Sequence, residues 1–314
     1  MNIRNFKENK KTMLVFLSIL CLIVISLAIY SVLNFNREFP PLKIPMPGQE
    51  TPNIDYKITA KFNNLPTEAM VYKFKKPQNI DFYSIAKKFG LNGKAEYYPE
   101  TKTYVIKEEV DGKVKYSFTY EVETGRWEYI NEEEMYLNYN PVNVPSDEEA
   151  KKIAIEFLKK EGFYNDRFSY CTVVEASSGD KLTNDYKVLY KDVYFYPSIN
   201  GKPVYGVSRI VVSVGSNGKI IGVRKWYKDI EEYKKVKLIS AEKALEKIKK
   251  REASNNINPR AKSATINKVF LAYWEDAGTI EEQPYLQPVW VFCGEAITED
   301  GSRDTFDAVV PAIE

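Results

Sequence analysis

Not one of the 314 residues is histidine, although 43 are acidic and 45 are lysine or arginine. Ser-His-Asp triads, H-E-x-x-H peptidase sites and nearly all catalytic zinc sites need an imidazole, so those classes are excluded. What remains for chemistry is carboxylate, thiol, hydroxyl and ammonium. No flanking motif selects two of the acids as the pair that glycoside hydrolysis requires, which leaves a carboxylate-dependent enzyme as the last alternative. Asp300, Gly301, Ser302 and Asp304 spell half a calcium loop, but the alternating ligands and the closing glutamate are missing, and they read as a polar β-turn. Without a phosphate-binding loop or a nucleophile elbow, the sequence predicts no catalytic residue, no metal and no cofactor.

Two thiols lie outside the long apolar run near the N-terminus, Cys171 and Cys293. They form either one disulfide, closing a loop worth roughly 4 to 5 kcal/mol in the chain-entropy model, or two buried free thiols. The Cβ separation decides between them. Tyr285, Gln287 and Trp290, in the stretch Q-P-Y-L-Q-P-V-W, together with Tyr205, are candidates for a surface that binds a peptide or a glycan; packing between elements accounts for the same residues. The 23 tyrosines and 16 phenylalanines mark half-buried strands, with a glycan platform as the sharper alternative.

These residues need elements to place them. Alternation predicts strands over 56–62 and 69–74, then a helix over 82–89 closed by Gly90. Strands over 103–110, 114–122 and 126–130 follow, with Asp111-Gly112 and Thr124-Gly125 as turns. After the proline-bounded break at 141–145, Ser146 and Glu149 spell a capping box, and Ala150, Ile153, Ala154, Phe157 and Leu158 form the apolar stripe of a helix that Gly162 ends. Strands are expected over 169–175, 186–196, 207–214 and 220–226. A second helix starts at Ser240, with Ala241, Ala244, Leu245 and Ile248 inward, and strands over 265–274, 289–296 and 306–312 complete the chain. Residues 281–288, with two prolines, read as a surface loop.

The run from Met13 to Leu33 has 21 residues without charge, Gly or Pro, long enough at about 1.5 Å per residue to span a bilayer. Arg4, Lys7, Lys10 and Lys11 precede it, which predicts a cytoplasmic N-terminus, lipid contact through residues 13–33 and an extracytoplasmic remainder in the cell membrane. That remainder is nearly neutral, so nucleic acid is not an expected partner. Five prolines between residues 40 and 52 predict an extended spacer. The predicted organisation is a cytoplasmic head (1–12), a transmembrane helix (13–33), a linker (34–55), a first α+β domain (56–140) and a tandem α+β region (141–314). The fold class is α+β, with one helix packed on an antiparallel sheet in each module.

Ser146, Glu148, Ala150 and Ser240, Glu242, Ala244 both spell S-x-E-x-A. With the G-K-P-V-Y-G stretch at 201–206 and the G-S-N-G-K turn at 215–219, residues 145–253 resemble the PepSY and thermolysin-propeptide modules. In that resemblance Gly201, Pro203 and Gly206 set a hairpin. An anchor followed by tandem modules also resembles the YycH/YycI regulators of Gram-positive bacteria, which modulate a sensor kinase. The resemblance implies a non-enzymatic envelope protein that binds another protein and regulates a kinase or peptidase. A cell-wall glycan-binding module is the alternative.

Overall fold

The protein, seen in a computed structural model, is described over residues 39–45, 52–78, 81–138, 140–180 and 185–313. The chain divides into two compact units, 1–41 and 42–314, and all strands and helices below belong to the second. Short β1 (Tyr56–Ile58) and β2 (Glu68–Phe74) lead to helix α1 (Phe82–Lys88), where the Asp81 carboxylate accepts the Ser84 N–H as an N-cap. A meander follows: β3 (Glu96–Tyr98), β4 (Thr103–Val110), β5 (Lys113–Glu121) and β6 (Trp127–Asn131). Asp111 and Gly112 both take positive φ in its tightest turn, as an Asp-Gly hairpin requires.

Helix α2 (Asp147–Glu161) carries the capping box: the Ser146 hydroxyl accepts the Glu149 N–H, and the Glu149 carboxylate accepts the Ser146 N–H at 2.9 Å. Then come β7 (Tyr170–Asp180), β8 (Asp185–Tyr196), β9 (Ser198–Ile199), β10 (Lys202–Gly206), β11 (Arg209–Val214), β12 (Ile220–Trp226) and β13 (Ile230–Lys237). Helix α3 (Ala241–Lys249) precedes β14 (Ser254–Asn255), β15 (Ala261–Glu275), β16 (Tyr285–Thr298) and β17 (Arg303–Pro311).

One sheet has eight strands in the order β3-β4-β5-β6-β12-β11-β8-β7, all antiparallel. Its central pair joins the last strands of two meanders, with Glu128 opposite Arg224. Ala86 of α1 and Ala150, Ala154 and Leu158 of α2 pack on one face, against Phe118, Trp127, Val193 and Val223. The other sheet runs β13-β2-β16-β15-β10-β9, with β1 beside β15, β17 beside β16 and β14 beside β17. Ala241, Ala244, Leu245 and Ile248 of α3 form its core with Trp290 and Phe292.

This corrects the expected fold class. The described chain is mostly β, in two large sheets, and not a series of modules each with its own sheet. An isolated four-stranded meander leaves two edges with unpaired N–H and C=O groups; here the β6 and β12 edges satisfy each other, so strands from both sides of 141–145 share one sheet. The expected membrane anchor and extracytoplasmic location gain no support either. The described α-helices have 7, 15 and 9 residues, and none of the described helices is long and apolar enough to cross a membrane. The head and the apolar run at 1–33 lie outside the described residues.

The G-K-P-V-Y-G stretch lies at the edge of the second sheet. Asn200 and Gly201 take positive φ in a two-residue turn from β9 into β10, after which Val204, Tyr205 and Gly206 pair in parallel with Tyr273, Trp274 and Glu275. Gly206, at φ +94°, has no room for a side chain, since a Cβ there would sit 2.0 Å from the Glu275 carbonyl oxygen. Part of the expected spacer also lies on the protein: Leu42 and Ile44 pack against the cluster around Ala272 and Val289.

Candidate functional site

Three charged side chains are buried where the two sheets meet. Arg126 precedes β6, Lys228 lies between β12 and β13, and Glu275 ends β15. Arg126 Nη2 donates to Glu275 Oε1 at 3.1 Å, and the Lys228 backbone N–H donates to the same oxygen at 2.9 Å. Arg126 Nη1 reaches the Ala277 carbonyl at 2.8 Å, and Lys228 Nζ the Gly278 carbonyl at 2.9 Å, while also standing 4.5 Å above the Phe74 ring. Burial pushes the Glu275 carboxyl above its ordinary range in spite of both cations, and pushes the Lys228 ammonium down. The buried Gln283 braces the same loop, accepting the Asp276 N–H at 2.9 Å and donating to the Trp274 carbonyl at 2.8 Å. Together these contacts clamp 276–283 onto the other sheet, and the clamped loop becomes one wall of a cleft.

That cleft, of about 860 Å³, lies between the end of β2, the short turn at Asp166–Phe168, the start of β13 and the loop 280–284. Its cations are Lys73, Lys75, Lys76 and Arg167, and its acids Asp229, Glu231 and Glu281. Lys76 reaches Glu281 at 3.5 Å, an exposed and therefore weak pair, and Lys225 reaches Asp229 at 3.4 Å. Lys75 and Arg167 have no ion pair among the described residues. The described lining of the cleft holds no serine, threonine or cysteine.

A second cluster occupies the face of the eight-stranded sheet opposite α1 and α2. Register puts Tyr170, Tyr196 and Trp226 in one row there, with the Arg209 guanidinium 4.6 Å above the Trp226 ring. One row further in, Arg224 pairs with Glu128 and lies 3.9 Å from Asp192. Burial raises the Asp192 carboxyl, while the Ser213 hydroxyl and Arg224 oppose the shift. Both acids are engaged by the same arginine.

The residues singled out from the sequence do not converge. Trp290 is 1% exposed and sits in the core beneath α3, its indole N–H donating to the Ile239 carbonyl at 2.9 Å. Gln287 is buried too, because 285–288 is the start of β16 and not a surface loop. Tyr285 is half-buried beside Tyr233, with ring centres 5.1 Å apart. Tyr205 is half-buried on β10, its hydroxyl donating to Asp307 Oδ2 at 3.4 Å. The expected common surface is therefore corrected. Of the two alternatives for the thiols, the structure has the free one: Cys171 packs on the core under α1 and α2, Cys293 lies beside Tyr205 in the other sheet, and neither is bonded. Burial first, then the Asp307 carboxylate, pushes the Cys293 thiol up to about 12. Asp300 holds a polar turn, accepting the Ser302 N–H at 3.0 Å.

Sequence reading missed the cleft residues. Alternation in Y-K-F-K-K marks Lys73 and Lys75 as outward-facing, but nothing in N-D-R-F marks Arg167 as their neighbour. No protein-family profile matches the chain, so the resemblance to PepSY and YycH/YycI proteins gains no support there. No curated protein matches it either. Among solved structures, the chain is similar to an uncharacterized protein from Eubacterium rectale ATCC 33656, with 13% identity, 87% of this chain and 92% of that one covered, and a TM-score of 0.43.

Proposed function

We propose that this protein acts by binding and not by turnover, and that the cleft between the sheets receives an acidic, extended segment of a protein partner. The observation that carries this reading is the presence of Lys75 and Arg167 in that cleft without ion pairs among the described residues. Its volume falls within the ~300–1,000 Å³ usual for ligand sites. Cations gathered in a concave site focus their field on an incoming anion. The exposed Lys76–Glu281 pair is weak enough for a competing carboxylate to open. A kinase or peptidase with an acidic surface segment, regulated by the contact, is the kind of partner this chemistry serves.

The test is a titration with a labelled glutamate-rich peptide and a lysine-rich control. Binding of the acidic peptide alone, weakened about tenfold by Lys75→Glu with Arg167→Glu and weakened by added salt, is the expected result. Equal binding of both peptides, or no loss in the double variant, overturns the reading.

The row of Tyr170, Tyr196 and Trp226 favours a second reading, a glycan stacked across the face opposite α1 and α2. Chito-oligosaccharide titration separates the two: this reading expects a Trp226→Ala variant to lose that binding, while the cleft reading expects no such binding at all.

A further inference from the structure

We infer that the small pocket between α1, α2 and the eight-stranded sheet binds a small apolar carboxylate, with Lys225 as its counter-charge. The pocket holds about 230 Å³ and is walled by Ile85, Trp127, Leu158, Phe163, Val223 and Tyr227. That is below the ~300–1,000 Å³ of drug-sized sites, which limits the ligand to a single aromatic ring or a short chain. Lys225 is on β12 in the alternation Val223, Lys225, Tyr227, so its register turns an ammonium toward a face that is otherwise apolar.

Three acceptors hold the Lys225 ammonium, and only one of them is charged. Lys225 Nζ reaches the Gly125 carbonyl at 3.3 Å and the Tyr227 carbonyl at 3.1 Å, both uncharged, and stands 4.1 Å over the Tyr227 ring. Its one carboxylate partner among the described residues, Asp229, also accepts from Nζ at 3.4 Å but is 52% exposed and screened by water. Arg126, further off, opposes the charge and Glu275 supports it. Burial lowers the Lys225 pKa, the cost of an ammonium with too little compensation. A carboxylate brought into the pocket takes the place of the exposed Asp229 as the charged acceptor, within the low-dielectric volume, and its apolar body meets apolar walls.

Calorimetric titration of the full chain with benzoate, benzyl alcohol and benzylamine tests this. Benzoate is expected to bind about tenfold or more tighter than benzyl alcohol, with no binding of benzylamine. Lys225→Met is expected to abolish the preference for benzoate while benzyl alcohol still binds. Because that variant removes a buried hydrogen-bonded group, Ile85→Trp, which fills the pocket from its half-buried wall, is the second probe and is expected to block both ligands. No benzoate binding by the native chain, no preference for it over benzyl alcohol, a preference kept in Lys225→Met or binding unaffected by Ile85→Trp overturns the inference.

Discussion

Arg126 and Glu275 illustrate why a buried charge is judged by what its removal leaves behind. Their pair is 3.1 Å long and nearly dry, so Arg126→Met strands the Glu275 carboxylate and is expected to cost about 3–5 kcal/mol in denaturant unfolding. Adding Glu275→Gln is expected to recover part of the loss, since the stranded charge is then gone. The pH dependence has a definite sign. Burial raises the native Glu275 pKa above its unfolded value, so its contribution is fully present below the unfolded carboxylate range and is lost as pH rises through the native value. Arg126→Met removes one of the groups holding that value down, so the variant is expected to lose stability over a wider pH span than the native protein. Gly206 is a second residue that tolerates no side chain. Alanine there needs positive φ and meets the Glu275 carbonyl, and a drop of about 2 kcal/mol or more in unfolding free energy is expected.

Helix α2 owes its start to one local device. Ser146→Ala removes the acceptor of the Glu149 N–H and is expected to cost about 1 kcal/mol by thermal unfolding. The Glu149 carboxyl is held below its ordinary range by the Ser146 hydroxyl and N–H, so its contribution is present above the unfolded carboxylate range and is lost as pH falls through the lowered native value. Strand β13 shows the opposite case. Its sequence I-E-E-Y-K-K-V-K is charged and largely exposed, with no buried alternation to announce a strand. It extends because the β2 edge offers a ladder from Ile230 opposite Phe74 to Lys237 opposite Glu68, and Lys235 reaches Glu68 at 2.7 Å across it. An isolated peptide of 230–237 is expected to show no strand signal by circular dichroism.

At the scale of the molecule, the eight-stranded sheet makes the two meanders interdependent. Cutting the chain at 141–145 separates β6 from β12 and exposes both as edges. Neither 56–140 nor 141–314 is expected to give dispersed amide spectra when made separately; well-folded spectra from both pieces would contradict the single-sheet account. The second sheet adds its own ties, through β10 on β15 and β13 on β2. The cleft exists only because these ties hold the sheets at one seam, with the Arg126, Lys228 and Glu275 cluster fastening the loop that walls it.

By itself the sequence determined what is local. Caps at Ser146 and Ser240, turns at Asp111-Gly112 and Asn217-Gly218, the inward stripes of α2 and α3 and the exclusion of imidazole chemistry all follow from neighbours a few residues apart. Alternation in I-I-G-V-R-K-W-Y puts Lys225 on the same face as Val223, but nothing nearby in the chain tells that this face is buried. Only the tertiary structure decided which edges pair. That choice merged the modules into one sheet, drew the proline-flanked 285–288 into β16, buried Gln287 and Trp290, and kept Cys171 and Cys293 in separate cores. The physical reason is that a strand's unpaired amides and carbonyls are satisfied by partners far away in sequence, here β6 by β12 and β2 by β13, and such partners leave no local trace.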